Sequence, residues 1–292
     1  MPDRREPAEE GPIAILAGGG AAPGIVAAAA ERAGRPVLIL GLEGETDPSI
    51  AAYRHAWVKW GEVGRIDKLI REHGATDIVL VGTLTKRPDF RSISLDAMGL
   101  KSLPRLAGIT LGGDDSVLGK AVRFIESLGH RVIGAHEIAP ELVAGASPLT
   151  RHAPSRSARE DIALAMRAAL AIGALDAGQG AVAVDGRVVA LEGAEGTDAM
   201  LARVADLRAA GRVSPKGRAG VFAKCSKPKQ DLRVDMPTIG PKTVEQVAAA
   251  GLAGMAVEVG RVMIVDRDTA VRLADEAGLF IVGEPSIVAP EP

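Results

Sequence analysis

The sequence predicts an α/β chain, with a Rossmann-like, parallel-sheet N-terminal domain followed by a mixed α/β C-terminal domain. Three observations carry this reading. Apolar, strand-like runs alternate with helix-like runs through the first half, which implies a parallel sheet covered on both faces. Gly18-Gly19-Gly20 joins the first of these strands to the first helix. In the second half Asp185-Gly186 separates two β-branched runs, a strong hairpin signal.

The elements follow in chain order. Residues 13–16 form an apolar run of buried-strand type. An alanine-rich helix covers 23–33, and Gly34 ends it. Residues 37–40 are the second strand and 57–60 the third. Residues 65–73 are helical, because Ile66, Leu69 and Ile70 share one face. A strand at 77–81 ends at Gly82. Helices are expected over 92–106 and 115–128, and a strand over 131–134. The proline-rich stretch 140–154 reads as a linker. Ser157 and Glu160 then form a capping box that opens a helix to 175. Strands 181–184 and 187–191 make the hairpin, and a helix follows over 198–209. A strand at 220–224 feeds a charged loop. After a helix at 243–249, residues 255–259 and 262–265 read as a hairpin around Gly260-Arg261. Asp266 caps the last helix, and 280–282 is the last strand. The expected domains are a disordered tail (1–10), a nucleotide-binding domain (11–139), the linker (140–154) and the mixed domain (155–292).

Composition narrows the function. A chain of 292 residues has room for two domains, and 47% hydrophobic with 25% charged residues is normal for a folded protein. The formal net charge of -2 argues against a general nucleic-acid binder, and 2% aromatics leave few stacking platforms. The single Cys225 excludes an intrachain disulfide and fits a reducing compartment. Residues 1–10 lack the apolar core of a signal peptide, and no apolar run reaches the roughly 20 residues of a membrane span. A soluble protein is expected. Peripheral membrane contact and a homodimer stay open.

The most chemical stretch lies at 224–240. Lys224, Lys227 and Lys229 lead into Gln230, Asp231, Arg233 and Asp235, and Pro237 and Gly240 close the segment. Carboxylates hold a hard cation while Lys and Arg hold phosphate oxygens, so the segment reads as a site for a phosphorylated ligand and a divalent metal. The competing reading is a solvated, charge-balanced loop. Upstream, Glu192, Glu195, Gly196, Thr197 and Asp198 follow the hairpin and open a helix. Thr197 or Asp198 reads as its N-cap, or the group forms a carboxylate cluster that joins Asp231 and Asp235 around a metal.

Three loops of the first domain sit where strands end, the usual place for ligands in open parallel sheets. Gly18, Gly19 and Gly20 suit a phosphate cradle or a tight turn without ligand. The pattern departs from a dinucleotide fingerprint, whose third glycine here comes one residue late at Gly24, and from a Walker loop, which needs Gly-Lys-Ser/Thr. Gly82, Thr83, Lys86 and Arg87 suit a phosphate or a solvated turn. Asp114 and Asp115 cap a helix or touch a ribose, base or metal. None of the five histidines has zinc spacing, and no Gly-x-Ser-x-Gly elbow is present.

In this order, the Leu-Ala-Gly-Gly-Gly run, the Gly82 loop, Gly113-Asp114-Asp115, Glu195-Gly196-Thr197-Asp198 and Gln230-Asp231-x-Arg233-x-Asp235-x-Pro237 resemble the LpxI-type UDP-2,3-diacylglucosamine pyrophosphohydrolases of bacterial lipid A biosynthesis. The resemblance implies Mg²⁺-dependent hydrolysis of UDP-2,3-diacylglucosamine to UMP and 2,3-diacylglucosamine 1-phosphate (lipid X), by water attack on the α-phosphorus. It implies two domains with the substrate between them, in the cytoplasm at the inner membrane. On this reading Asp231 and Asp235 bind Mg²⁺ or orient water. Arg233, Lys224, Lys227 and Lys229 offset pyrophosphate charge, and Asp198 joins the catalytic group. Alternatives are a nucleotidyltransferase and a non-catalytic nucleotide-sugar-binding regulator.

Overall fold

The computed structural model describes residues 11–84, 96–100, 114–146, 148–213 and 217–286, with 114–117 as backbone only. The chain divides into two compact units. Met1–Pro140 and Asp231–Asp235 form the first; Glu141–Gln230 and Met236–Pro292 form the second.

The first unit is built on five parallel strands: β1 (Ile13–Ala17), β2 (Val37–Leu42), β3 (His55–Val58), β4 (Asp77–Val81) and β5 (Arg131–Ile133). Their order is β3-β2-β1-β4-β5. Ile13, Ala14 and Ile15 of β1 are wholly buried, as a central strand covered on both faces requires. The helices are α1 (Ala22–Arg32), α2 (Val63–His73), α3 (Asp114–Ser127) and the short α4 (Ala135–Ile138). Pro23 sits in the first turn of α1, where a missing N–H costs nothing. Gly74 ends α2 in the left-handed conformation at φ 71°. Ala14, Leu38, Leu40, Ile70 and Ile78 form one core cluster. Asp77, itself buried, is held by Arg35 and Arg131. The third strand begins at His55, two residues before the expected start. The expected helix at 92–106 lies mostly outside the described residues, of which 97–100 are helical.

The second unit has a five-stranded sheet of β6 (Gly180–Val184), β7 (Arg187–Leu191), β8 (Val221–Lys224), β10 (Gly254–Glu258) and β12 (Phe280–Glu284), in the order β12-β10-β8-β6-β7. Only β6 runs against its neighbours, so β7 and β8 end at the same edge. Asp185 at φ 49° and Gly186 at φ 74° make the hairpin turn. The buried Asp161 carboxylate accepts from both turn amides, at 3.1 and 2.8 Å. Strand residues alternate between two cores. Ala181, Ala183, Val221, Ala223 and Ala256 pack with Ile162, Ala165, Met166 and Ala169 of α5 (Arg156–Ala174). Val182, Val184, Phe222, Met255 and Val257 pack with α6 (Gly196–Ala209), α7 (Pro241–Ala249) and α8 (Arg267–Glu276).

Three expectations need correction. The hairpin expected at 255–259 and 262–265 does not form. All five residues of β10 are buried, and the strand lies parallel between β8 and β12. Gly260, at φ 71°, turns the chain out of the sheet, and β11 (Met263–Ile264) pairs in parallel with β9 (Thr238–Ile239). The cap of α5 is Ser155 rather than Ser157, since its side chain accepts from Ala158 N at 3.2 Å. Asp266 does precede α8, but at φ 47° its side chain makes no capping hydrogen bond. Val143 bridges to Met263 and Pro148 to Val282. Among the described residues no helix is long and apolar enough to cross a membrane.

Candidate active site

The chemistry of the second unit gathers at the shared carboxyl edge of β7 and β8. Lys224 is the last residue of β8 and is only 6% exposed. Its Nζ donates to Thr197 Oγ1 at 2.7 Å, and that hydroxyl donates to Glu192 Oε1 at 2.9 Å. Glu192 follows β7 and is 8% exposed. Burial pulls the Lys224 pKa below the ordinary lysine value, and the negative charges of Glu192 and Asp198 oppose that shift. Asp198 accepts from Lys242 Nζ of α7 at 2.5 Å. That hydrogen bond, with help from Gln246, holds its carboxyl below the usual aspartate value.

The structure brings Lys224, Thr197 and Asp198 together. It differs on the helix cap. Glu195 occupies the N-cap without a side-chain bond, so Thr197 and Asp198 fall inside the first turn. Glu195 instead pairs with Arg203 at 3.1 Å, and Gly196 takes φ 78°. Glu192 was read only as one member of a carboxylate group, and Lys242 and Gln246 were missed as site residues. Their roles come from the pairing of β6 with β7 and the packing of α6 on α7, which local spacing does not encode.

Beyond β8 the basic run is largely engaged. Lys227 pairs with Asp176 at 2.8 Å, and its N–H donates to the buried Gln230 Oε1 at 3.0 Å. Lys229 is exposed. Ser226 donates from N and Oγ to the fully buried Glu258, and Arg261 Nε donates to Ser226 Oγ at 2.6 Å. Cys225 lies buried between these groups, and burial pushes its thiol up to about 12, so no reactive thiolate forms near neutral pH.

Asp231–Asp235, counted with the first unit, forms one turn in which Asp235 N donates to Asp231 O at 3.0 Å. Both Asp231 oxygens accept from Arg233, at 2.9 and 2.7 Å, which lowers the Asp231 pKa and raises that of Arg233. Arg233 also donates to Glu126 Oε1 at 2.9 Å. The segment carries two hard carboxylates, Asp231 and Asp235, of the kind that suits a divalent cation. A metal on Asp231 requires Arg233 to release an oxygen. Among the described residues no group of three or more His, Cys, Asp or Glu is placed to hold a metal.

In the first unit, Gly18 and Gly19 lie against Gly82 and Thr83. Gly18 N donates to Val81 O at 2.9 Å, and Gly19 and Thr83 exchange backbone hydrogen bonds at 2.7 and 2.9 Å. A Cβ on Gly18 would come within 2.6 Å of Thr83 O. These glycines therefore close two loops on each other, and an anion here would face Gly20 and the N-terminus of α1. Lys86 and Arg87 lie outside the described residues. Asp114 and Asp115 open α3, with their side chains outside the described set.

A parallel-sheet unit with a glycine loop, joined to a mixed unit with a buried lysine among carboxylates, defines a two-unit protein of the α/β class. Its two halves match two family models in sequence order, the LpxI N-terminal domain over 12–142 and the LpxI C-terminal domain over 145–282. It is 43% identical over 271 residues to UDP-2,3-diacylglucosamine pyrophosphatase LpxI of Caulobacter vibrioides, covering 93% of this chain and 96% of that relative. The chain belongs to the LpxI family.

Proposed function

We propose that this protein hydrolyses UDP-2,3-diacylglucosamine to UMP and 2,3-diacylglucosamine 1-phosphate in lipid A biosynthesis. The expectation of a pyrophosphohydrolase is borne out by the family membership. The observation that carries the substrate is the 43% identity, over almost the full length of both chains, to the Caulobacter pyrophosphatase. The structure supports it with a buried ammonium, Lys224, at a strand end among oriented side chains. A cation kept from water and held in place stabilises charge that develops on a phosphoryl group.

Lys224 binds a pyrophosphate oxygen and offsets charge as the α-phosphorus is attacked by water. Thr197 aims the ammonium, while Lys242 and Gln246 keep Asp198 ionised beside it. Lys227, Lys229 and Gln230 hold the nucleotide diphosphate from the segment after β8. Asp231 and Asp235 would hold Mg²⁺, which when bound neutralises charge on the pyrophosphate. In the first unit, Gly20 and the start of α1 hold the nucleotide, with Gly82, Thr83, Lys86, Arg87, Asp114 and Asp115 around it. On this reading the enzyme works in the cytoplasm, and two acyl chains on the substrate fit work at the surface of the inner membrane.

The test is turnover of UDP-2,3-diacylglucosamine in detergent micelles, with Mg²⁺ and with EDTA. We expect UMP release with Mg²⁺ and its loss with EDTA. No turnover with Mg²⁺ would sink the substrate; full turnover in EDTA would sink the metal. Asp235→Ala and Asp231→Ala each remove most turnover on this account, about 100-fold or more, and parent rates in both would reject their roles.

A further inference from the structure

The segment from Lys224 to Glu192 has a direction. A lysine ammonium only donates, a carboxylate only accepts, and a hydroxyl has one proton and two lone pairs. Because Glu192 takes the Thr197 proton, Thr197 can offer Lys224 only lone pairs. A neutral amine would gain nothing from that arrangement that an ammonium does not gain more strongly.

Glu192 is also held where a carboxylate has little reason to be. It is 8% exposed, and its Oε2 is buried without a hydrogen-bond partner. That oxygen sits over Gly180, where a Cβ would come within 2.5 Å of it, and the Phe222 ring closes the same space. An unpartnered charged oxygen against a glycine and a ring costs stability. The fold nonetheless makes room for it, and core packing alone would be served better by an apolar side chain.

We infer that Glu192 is a positioning residue: through Thr197 it holds Lys224 as a charged donor aimed at the substrate's phosphate. The inference rests on the reaction proposed above and adds a residue that acts without touching the substrate. The charged groups around Lys224 are Glu192 after β7, Asp198 of α6 and Lys242 of α7, which Asp198 neutralises. On the β10 side are Glu258 and Arg261, both bonded to Ser226. Glu192 is the only one of these joined to Lys224 by hydrogen bonds through a single hydroxyl.

The discriminating variants are Glu192→Gln, which keeps shape and removes charge, and Thr197→Val, which keeps charge and breaks the link. The protonation of Lys224 is followed without substrate by NMR of ¹³Cε-lysine-labelled full chain, with Lys224→Arg assigning the signal. Glu192→Gln is expected to lower the Lys224 midpoint by about one pH unit. It is also expected to move the alkaline limb of kcat/KM down by the same amount, with kcat/KM at neutral pH falling roughly tenfold. Thr197→Val lowers kcat/KM similarly, and Thr197→Ser restores both the rate and the limb. An unchanged Lys224 midpoint in Glu192→Gln overturns the inference. So does a rate loss with the alkaline limb unmoved, which would assign Glu192 to packing. If Glu192→Gln does not fold, the Val and Ser pair at Thr197 decides, and parent behaviour in Thr197→Val overturns it. A midpoint that shifts while the parent releases no UMP rejects the proposed substrate and leaves the relay standing.

Discussion

The two polar regions at strand ends resolve their hydrogen bonding in opposite ways. At Gly18–Gly19 and Gly82–Thr83 the backbone closes on itself, with amides and carbonyls paired at 2.7 to 2.9 Å and no space for side chains. At Lys224 the side chains do the pairing, one buried cation bonds through a hydroxyl to a carboxylate, and a buried oxygen is left over. Saturated backbone contacts hold a scaffold together. A buried ammonium with an unbalanced carboxylate costs stability and is kept for chemistry. The glycine loop, which looks more like a site in the sequence, is thus mainly architectural in its first two residues.

Substitutions sharpen this contrast. The largest effect is expected from Lys224→Met, which lowers kcat/KM by about 100- to 1,000-fold and costs no more than about 3 kcal/mol of stability. Steady-state kinetics beside a urea titration would read both, and a parent rate would break the contrast. Gly82→Ala should do the reverse. Gly82 is at φ 112°, and a Cβ would lie 2.7 Å from the Gly18 carbonyl carbon. We expect a loss of about 3 kcal/mol in urea unfolding, with a far smaller loss of activity in the folded molecules than at Lys224. Retained stability would mean that the loops can part.

The smallest effect concerns Asp77. Burial alone would raise its pKa, but hydrogen bonds and charges from Arg131 and Arg35 outweigh burial and hold the carboxyl below its ordinary value. Its folded pKa lies below its unfolded one, so the stability it adds is present above about pH 4 and is lost as pH falls through the folded value. Asp77→Asn should lose about 2 kcal/mol at pH 7 and show a flatter decline below pH 4. Thermal melts from pH 7 to pH 3 would reveal equal slopes if Asp77 did not contribute.

Much of the fold was legible because it rests on local periodicity. The apolar runs of β1, β2 and β4, the Asp185-Gly186 turn and the one-sided face of α2 depend on neighbours in sequence. The failure at 255–265 has a different origin. An apolar run, a glycine and another apolar run suit a hairpin as well as a strand that leaves the sheet, and only the partners β8, β12 and β9 decide. The cap of α5 shows the same limit on a smaller scale, since Ser155 and Ser157 are equally able to cap by type. Within the candidate site, Lys224, Thr197 and Asp198 were legible from charge and helix-start chemistry. Glu192 was legible as a carboxylate but not as a buried one, because its burial depends on Gly180 across the hairpin. Arg233 was legible as a cation, but its engagement by Asp231 and Glu126 depends on the turn and on α3.

The proposal that water attacks the uridine-bearing phosphorus of UDP-2,3-diacylglucosamine is tested most directly by hydrolysis in ¹⁸O-water with mass analysis of both products. The account predicts one ¹⁸O in UMP and none in 2,3-diacylglucosamine 1-phosphate. Label in the sugar phosphate instead, or no hydrolysis with Mg²⁺ present, would contradict it.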